Sequence, residues 1–372
     1  MAKMYIGDEN QIARKIKKYY IGDTDNKARK VKKMYMGGSD GIARCTFSRS
    51  GLEYYGTVTP LSDGRGYLTG VSSNKYALFG GGANDSRSAT VDAYNINLTR
   101  SNPTSLKEAR NSMAATTVGN YAIFGGGMSS VSTSAVDAYN SNLTKSTPTV
   151  LSQARHSFDA TSIGDYALFG GGYVYISSAT NSAAVDAYNT SLTRTTPSGL
   201  PNAKSGLSAT TVGNYALFAG GDNSTPMSSG SRFSDVAAYN SNLTRSTATS
   251  LSVARSGLSS TSVGDYAIFA GGSSAIVDIY DKNLTRTTGT SLSNTGTPIA
   301  TTVGKYALFV MSNSTFDIYD ENLTKTTGIV LKEQKGQFAA ATVGNYALFA
   351  GGQIYNNGYT YFNTVDVYEN CD

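Results

Sequence analysis

Short apolar runs recur along the chain at a nearly constant interval, separated by stretches rich in Gly, Ser, Thr and Asn. Seven copies of the run Tyr-Ala-Leu/Ile-Phe begin at Tyr76, Tyr121, Tyr166, Tyr215, Tyr266, Tyr306 and Tyr346. Successive copies lie 40 to 51 residues apart, which is typical of proteins built from repeated supersecondary units. The pattern therefore predicts an array of repeats that forms one body.

Each repeat is predicted to contain four short strands. In the fifth copy, residues 254–263 form the first strand, and Gly264-Asp265 makes a two-residue hairpin turn. The aromatic strand that begins at Tyr266 ends in a Gly-Gly pair, where backbones approach closely. After a loop of variable length, the alternating residues 277–280 form the third strand and residues 284–288 the fourth.

The two ends of the array complement each other. The last copy stops after residues 365–368 without a fourth strand, while a segment with strand character, residues 53–59, precedes the first copy. Pairing of these segments closes a ring of seven units and removes exposed sheet edges. The sequence therefore predicts an all-β fold, with a seven-bladed β-propeller over residues 51–372 that strand 53–59 completes.

The repeat resembles the kelch repeat of β-propellers over residues 53 to 369. The matching features are a basic residue that opens the first strand, an aromatic strand that ends in Gly-Gly, and a Val-Asp-x-Tyr-Asn/Asp strand. Two features depart from the kelch pattern: the fourth strand lacks Trp, and the sixth copy has Met311-Ser312 in place of Gly-Gly. The resemblance implies a divergent, kelch-like propeller and brings no particular activity with it.

A shorter repeat precedes the array. Residues 4–7, 19–22 and 34–37 are related segments 15 residues apart, and each is followed by a polar turn and a basic segment. We expect each unit to form a β-hairpin, and the three hairpins to form a thin sheet with little core that needs a surface to lie on. Residues 1–50 are therefore predicted to be a hairpin-repeat arm.

Positive charge is concentrated in the arm. The chain has a formal net charge of +5, and residues 1–50 hold twelve Lys or Arg against five Asp or Glu, so the propeller is close to neutral. We favour docking of these cations on an acidic protein surface over a solvated basic face, with nucleic acid the least expected partner. The predicted docking residues are Tyr5, Tyr20, Tyr35, Arg14, Lys17, Lys18, Arg29, Lys32 and Lys33.

The arm repeats resemble short repeats in virion proteins of phages that infect Gram-positive bacteria. The resemblance covers about 45 residues and implies other virion proteins, of capsid or tail, as partners and the virion as the location. The N-terminus lacks the apolar stretch of a secretory signal, and no run of 18 apolar residues is present to span a membrane. The protein is therefore expected to be made in the host cytoplasm.

The loops after the Gly-Gly pairs differ most between copies, and the long ones cover residues 173–184, 222–235 and 353–364. Rigid aromatic side chains beside adaptable amides form good binding surfaces, including surfaces for sugars. A host cell-surface glycan is the expected ligand, and neutral drift of surface loops is the alternative. The candidate binding residues are Tyr173, Tyr175, Tyr355, Asn357, Tyr359 and Tyr361.

Two rings of charge also recur. The cations are Arg65, Arg110, Arg155, Lys204, Arg255 and Lys335, and the acids are Asp92, Asp137, Asp186, Asp278, Asp317 and Asp366. We expect the cations to surround one end of the central channel. An anion site is one interpretation, but we favour a structural role in which each cation bonds carbonyls or an acid of the adjacent blade. The aspartates are then counterparts or turn-forming residues rather than metal ligands.

Catalysis has little support in the sequence. His156 is the single histidine, Cys45 and Cys371 are the only cysteines, and no Ser/His/Asp set, metal cluster or phosphate loop is apparent. No cofactor or metal is expected. The sequence favours a non-enzymatic phage virion surface protein, either a capsid decoration or a tail adhesin. A free bacterial glycan- or protein-binding propeller is the alternative, and a glycosidase with a carboxylate pair is less favoured.

Overall fold

The computed structural model describes residues 51–225 and 228–372 in full and, within the first 50 residues, the backbone of six strands. These six strands are Tyr5–Gly7, Ala13–Lys15, Tyr20–Gly22, Ala28–Lys30, Lys33–Gly37 and Ala43–Ser48. The chain divides into two compact units, residues 1–53 with 369–372, and residues 54–368.

The six strands near the N-terminus form three antiparallel hairpins, as predicted. The first two have the same register, with Tyr5 opposite Lys15 and Tyr20 opposite Lys30. The third contains a bulge between Met34 and Tyr35. Each hairpin is a two-stranded sheet of its own among the described residues, so the expectation of one continuous thin sheet was wrong.

Seven four-stranded antiparallel sheets, the blades, make up the rest of the chain. The first strands are Thr69–Ser72, Ala114–Val118, Asp159–Ile163, Ser208–Val212, Leu258–Val263, Ile299–Val303 and Ala339–Val343. The second strands are Tyr76–Gly80, Tyr121–Gly125, Tyr166–Gly170, Tyr215–Ala219, Tyr266–Gly271, Tyr306–Val310 and Tyr346–Ala350.

The outer half of each blade completes this order. The third strands are Val91–Asn95, Val136–Tyr139, Val185–Asn189, Val236–Tyr239, Val277–Asp281, Phe316–Asp320 and Val365–Asn370. The fourth strands are Arg100–Ser101, Lys145–Ser146, Arg194–Thr195, Arg245–Ala248, Arg286–Thr288, Lys325–Thr326 and, in the seventh blade, Leu52–Thr57.

The blades form a closed ring. The first strand of every blade contacts the first strands of its two neighbours, and the first strand of the seventh blade contacts that of the first. Leu52–Thr57 lies beside Val365–Asn370, so the seventh blade is built from both ends of the propeller sequence. The predicted all-β, seven-bladed propeller is confirmed.

An aromatic pair forms the centre of each blade. The Phe of the second strand and the Tyr of the third pack edge to face, with ring centroids 5.7 to 6.0 Å apart. The tyrosines are fully buried, and a buried hydroxyl needs a partner. Each therefore donates a hydrogen bond to a backbone carbonyl of the preceding blade's outer connection, as Tyr188 does to Thr149 at 2.7 Å.

A buried cation occurs in six of the blades, and in five of them its backbone bonds the blade before. The Arg155 N–H donates to the Thr133 carbonyl, and the Arg155 carbonyl accepts from the Gly127 N–H, both in the preceding blade. Its guanidinium instead enters its own blade and binds Asp186 at 2.7 Å. The Gly-Gly pair permits this approach, because a Cβ on Gly126 would lie 2.5 Å from the Arg155 carbonyl oxygen.

The same buried ion pair recurs at 2.6 to 3.3 Å around the ring. The pairs are Arg65–Asp92, Arg110–Asp137, Arg155–Asp186, Lys204–Asp235, Arg255–Asp278 and Lys335–Asp366. The sixth blade has Gly296 at the cation position, and its Asp317 pairs with Lys325 of the fourth strand at 2.7 Å. Each cation thus pairs within its own blade, so the expected pairing with an acid of the adjacent blade was wrong.

A first prediction tests the buried ion pair. Asp186→Asn is expected to lower the free energy of unfolding by about 3–5 kcal/mol, because it leaves the fully buried Arg155 without its counterion. The control is Asp265→Asn, whose partner Lys282 lies 3.7 Å away at the surface, and which should change stability by less than about 1 kcal/mol. Denaturant unfolding followed by circular dichroism measures both, and equal effects would contradict the assignment.

Candidate binding face

The variable loops share one face of the propeller with the connections between blades. Because successive strands of a blade are antiparallel, the loop from the second to the third strand lies at the same end as the connection from the fourth strand into the next blade. We call this end the loop face. Residues 173–184 and 353–364 each add a two-stranded hairpin there, Tyr173–Tyr175 with Ala179–Asn181 and Gln353–Tyr355 with Tyr359–Tyr361.

The hairpin of the seventh blade presents three of the candidate tyrosines on one side. Tyr355 is the cross-strand partner of Tyr359, and Tyr361 lies two residues further along the same strand, so all three share a face of the hairpin. The Tyr355 and Tyr359 rings are 5.0 Å apart, and the Tyr359 and Tyr361 rings stack at 6.0 Å. We call these three residues the tyrosine strip.

The tyrosine strip is open to solvent at its outer end. Tyr355 is 68% exposed and Tyr359 59% exposed, whereas Tyr361 is half-buried. Asn357 occupies the hairpin tip with a left-handed backbone, φ 53°, a conformation that Asn tolerates better than most residues. The structure therefore brings four of the six candidate binding residues together.

The hairpin of the third blade has a different arrangement. Tyr173 is half-buried and packs edge to face against His156, with centroids 5.3 Å apart. Tyr175 is 44% exposed, and its backbone bonds both the N–H and the hydroxyl of Ser132 in the preceding blade. This hairpin exposes one candidate tyrosine, not a strip.

Ser132 and His156 form a contact that the sequence does not reveal. The Ser132 Oγ lies 2.9 Å from His156 Nδ1 and accepts a hydrogen bond from the Tyr175 N–H. Ser132 is only 4% exposed, so its hydroxyl is shielded from a substrate. Burial lowers the pKa of His156, and Arg87 lowers it further. The contact holds the hairpin of the third blade to the neighbouring loop.

The ring of cations is not an anion site facing the channel. The central channel is lined by the first strands, in two adjoining cavities of about 350 and 380 Å³, and none of the six cations is among the lining residues. Their side chains are buried against the aspartates. The aspartates are therefore counterions, as the favoured interpretation held.

The channel wall is rich in hydroxyl groups and contains one carboxyl among its described residues, Asp159. Hydroxyl pairs such as Thr161 with Thr211 join neighbouring first strands at 2.8 Å. Asp159 accepts hydrogen bonds from the Ala209 N–H and the Ser208 hydroxyl. Burial nevertheless raises its pKa from 3.8 to about 6, since desolvation outweighs these bonds.

A chain of backbone hydrogen bonds surrounds the channel mouth on the loop face. Its members occupy the same repeat position and have left-handed backbones, with φ between 52° and 70°. Each member after the first donates its N–H to the carbonyl of the member before it, at 2.8 to 3.3 Å, and the chain is open at the sixth blade. This mouth ring consists of Gln337, Tyr67, Ser112, Ser157, Gly206 and Gly257.

Sequence reasoning missed Asp159 and Tyr67. Asp159 stands where the other first strands have Thr, Ala, Ser or Ile, and Tyr67 stands where five other blades have Ser, Gly or Gln. Alignment of the repeats therefore contained a signal, a single odd residue at a regular position. The alignment does not show that these two positions lie in the channel wall and at the channel mouth.

The arm residues are described only in part. Tyr5, Arg14, Tyr20, Arg29, Lys33 and Tyr35 lie within the described hairpin strands, and Lys17, Lys18 and Lys32 lie outside the described residues. In the first two hairpins the backbone register sets Arg14 opposite Ile6 and Arg29 opposite Ile21. The assignment of these residues to docking remains a prediction.

The fold and the loop face define a closed seven-bladed β-propeller whose long loops carry exposed aromatic residues. No protein-family model and no curated protein matches this chain. None of the described segments forms an apolar helix of membrane-spanning length. Within the same residues, no group of three or more His, Cys, Asp or Glu is placed to hold a metal ion.

A second prediction concerns the carboxyl in the channel. Because folding raises the pKa of Asp159, folding favours the protonated form, and the resulting stability is lost as the pH rises from about 4 through about 6. Asp159→Ser removes this titration. The stability of the variant relative to wild type should therefore improve by about 2 kcal/mol between about pH 4 and about pH 7.

Unfolding measured across this pH range tests the second prediction. The control is Asp165→Ser, which makes the same substitution in the exposed turn of the same blade, outside the channel. A constant difference between Asp159→Ser and wild type over the range would show that Asp159 is not desolvated in the folded protein.

Proposed function

We propose that this protein is a non-catalytic phage virion surface protein that binds its target through the loop face. The arm, residues 1–50, attaches it to capsid or tail proteins. The observation that carries the binding role is the exposed tyrosine strip on a rigid, closed ring. The resemblance of the arm repeats to those of virion proteins supports the location.

The propeller is well suited to hold a binding surface in place. The strip belongs to a paired hairpin that is itself bonded to the ring. Gln353, in the first strand of this hairpin, exchanges two backbone hydrogen bonds with Gly336. Rigid aromatic residues lose little conformational freedom on binding, which favours affinity. Large side chains that remain exposed on such a support are better explained by a ligand than by packing.

The arm is suited to attachment rather than to independent folding. A single two-stranded hairpin is at best marginally stable in water, and the arm consists of three such hairpins with the same short motif in the first two. Its excess of basic residues would steer it toward an acidic partner surface. Each exposed ion pair contributes little, on the order of 0.2–1 kcal/mol, so strand pairing and tyrosine burial must supply most of the affinity.

The chemistry of the loop face supports binding without catalysis. The Ser–His contact joins a buried hydroxyl to a histidine packed on Tyr173, an arrangement that positions a loop. The repeat pattern is kelch-like in the parts that build the blade, the Gly-Gly pair and the Val-Asp-x-Tyr strand, and we infer kinship with kelch propellers from these parts. A free bacterial glycan-binding propeller is the second candidate, favoured by the same tyrosine strip.

A third prediction separates the arm from the propeller. A chain that begins at residue 51 is expected to stay folded and soluble but to fail to join the virion, because it keeps the closing strand Leu52–Thr57 and loses the arm. The comparison is a chain that begins at residue 58. It should melt at a lower temperature, because it leaves the edge of Val365–Asn370 unpaired.

Incorporation into particles and thermal melting test the third prediction. If the chain that begins at residue 51 assembles as well as the full-length chain, the anchor lies on the propeller and the division of roles is wrong.

A fourth prediction concerns the strip. Replacing Tyr355, Tyr359 and Tyr361 by Ala should weaken adhesion of the full-length protein to host cells by about tenfold or more, with little change in melting temperature. The matched variant replaces Tyr175 and Ile176 of the third blade, which are 44% and 56% exposed. Cell-binding titrations compare the two, and unchanged adhesion in the strip variant would indicate that this loop is neutral drift.

A further inference from the structure

Tyr67 lies next to the tyrosine strip although it belongs to a different blade. Tyr67 follows Gly64 and Gly66, which pack tightly on the hairpin of the seventh blade. A Cβ on Gly64 would lie 2.7 Å from the Tyr361 carbonyl oxygen, and a Cβ on Gly66 would lie 2.9 Å from the Gln353 side chain. Burial raises the pKa of Tyr361, and Asp85, Tyr359 and Tyr67 raise it further. The packing of Gly64 and Gly66 on the hairpin, and the hydrogen bond from the Tyr67 N–H to the Gln337 carbonyl at 2.9 Å, place the Tyr67 backbone at the seam between the first and seventh blades.

The backbone of Tyr67 is in an unfavourable conformation. Its φ is 53°, in the left-handed region that bulky residues avoid. The fourth and fifth blades have Gly206 and Gly257 at this position of the mouth ring. The Tyr67 side chain is 40% exposed, so burial in the core does not explain why a tyrosine is kept there. Backbone strain under an exposed aromatic side chain is typical of a functional position.

We propose that Tyr67 extends the tyrosine strip to the channel mouth and that the extended strip binds a neutral polysaccharide chain. The proposal rests on the binding role proposed for the loop face. Tyrosine rings offer flat apolar surfaces to the C–H faces of sugars, and their hydroxyls exchange hydrogen bonds with sugar hydroxyls. The Tyr359 and Tyr361 rings are nearly parallel, with 22° between their planes, whereas the Tyr355 ring is inclined by 64° to Tyr359, so the strip offers both ring faces and ring edges to a sugar chain.

The charges at the seam favour a neutral chain. Asp85 is exposed and is the acidic group that acts on the Tyr361 hydroxyl. A carboxylate accepts hydrogen bonds from sugar hydroxyls and repels sulfated or carboxylated polymers. Gln337, the neighbour of Tyr67 in the mouth ring, is also exposed and adds an amide that both donates and accepts. The site thus combines stacking surfaces with uncharged or acidic polar groups.

The test uses Tyr67→Gly in the full-length protein. Glycine adopts the left-handed backbone without strain, so this variant should melt at the same temperature as wild type or a higher one. The matched control is Ser157→Gly, which makes the same backbone change at φ 53° in the third blade. The probe is an array of neutral oligosaccharides, with sulfated and sialylated oligosaccharides and proline-rich peptides as comparisons.

The expected result is binding of neutral oligosaccharides by wild type and by Ser157→Gly, with a loss of at least about tenfold in Tyr67→Gly. Titration by tyrosine fluorescence then gives the affinities, since the chain contains no Trp. The proposal is overturned if wild type binds no oligosaccharide, if it prefers the anionic ones or the peptides, or if Tyr67→Gly binds as wild type does. Adhesion to host cells that survives such a result would preserve the proposed function and reject only this ligand and this residue.

Discussion

Burial of an Arg or Lys side chain requires a carboxylate beside it, and this requirement organises the propeller. Six blades place such a cation in the interior, where its side chain binds an aspartate of its own blade. In five of these blades the backbone of the same residue bonds the Gly-Gly segment of the blade before, as Arg155 does with Gly127. Because an unpaired buried charge is very costly, each buried cation occurs together with an aspartate. The recurring backbone bonds join neighbouring blades.

The strand that closes the ring also places a hydrogen-bond donor beside a buried aspartate, but the donor is not a cation. In the seventh blade the fourth strand comes from Leu52–Thr57, and it has no cation to offer the aspartate. In place of a cation, the Tyr54 hydroxyl donates a hydrogen bond to Asp366 at 3.3 Å. The Tyr54 ring packs on the Tyr368 ring, with centroids 5.3 Å apart. Burial and the adjacent Asp366 raise the pKa of Tyr54 to about 12, so the hydroxyl keeps its proton and serves as the donor. The two ends of the propeller sequence therefore pair without a change in the other strands of the seventh blade.

A scaffold held by repeated interior contacts leaves its loops free to differ. The hairpins of the third and seventh blades occupy equivalent positions, yet Tyr173 turns inward onto His156 while Tyr355 and Tyr359 remain exposed. The loop face thus combines one hairpin fastened to its neighbour with one that presents aromatic rings to solvent. The second is the binding surface that we propose, and it packs against Gly64 and Gly66, which precede the strained Tyr67 at the channel mouth.

The features that repeat can be predicted from the sequence alone. The number of blades, the order of their strands and the strand that closes the ring follow from the period, because each strand is specified by its own alternation and turn residues. The tyrosines of loop 353–364 were also apparent. Three other features require the folded ring: each cation pairs within its own blade, Asp235 binds Lys204 in the fourth blade where Ala237 stands, and Asp159 faces the channel. These contacts join residues about 30 positions apart, or residues of different blades, so the curvature and packing of the closed ring set them, and no local pattern specifies them.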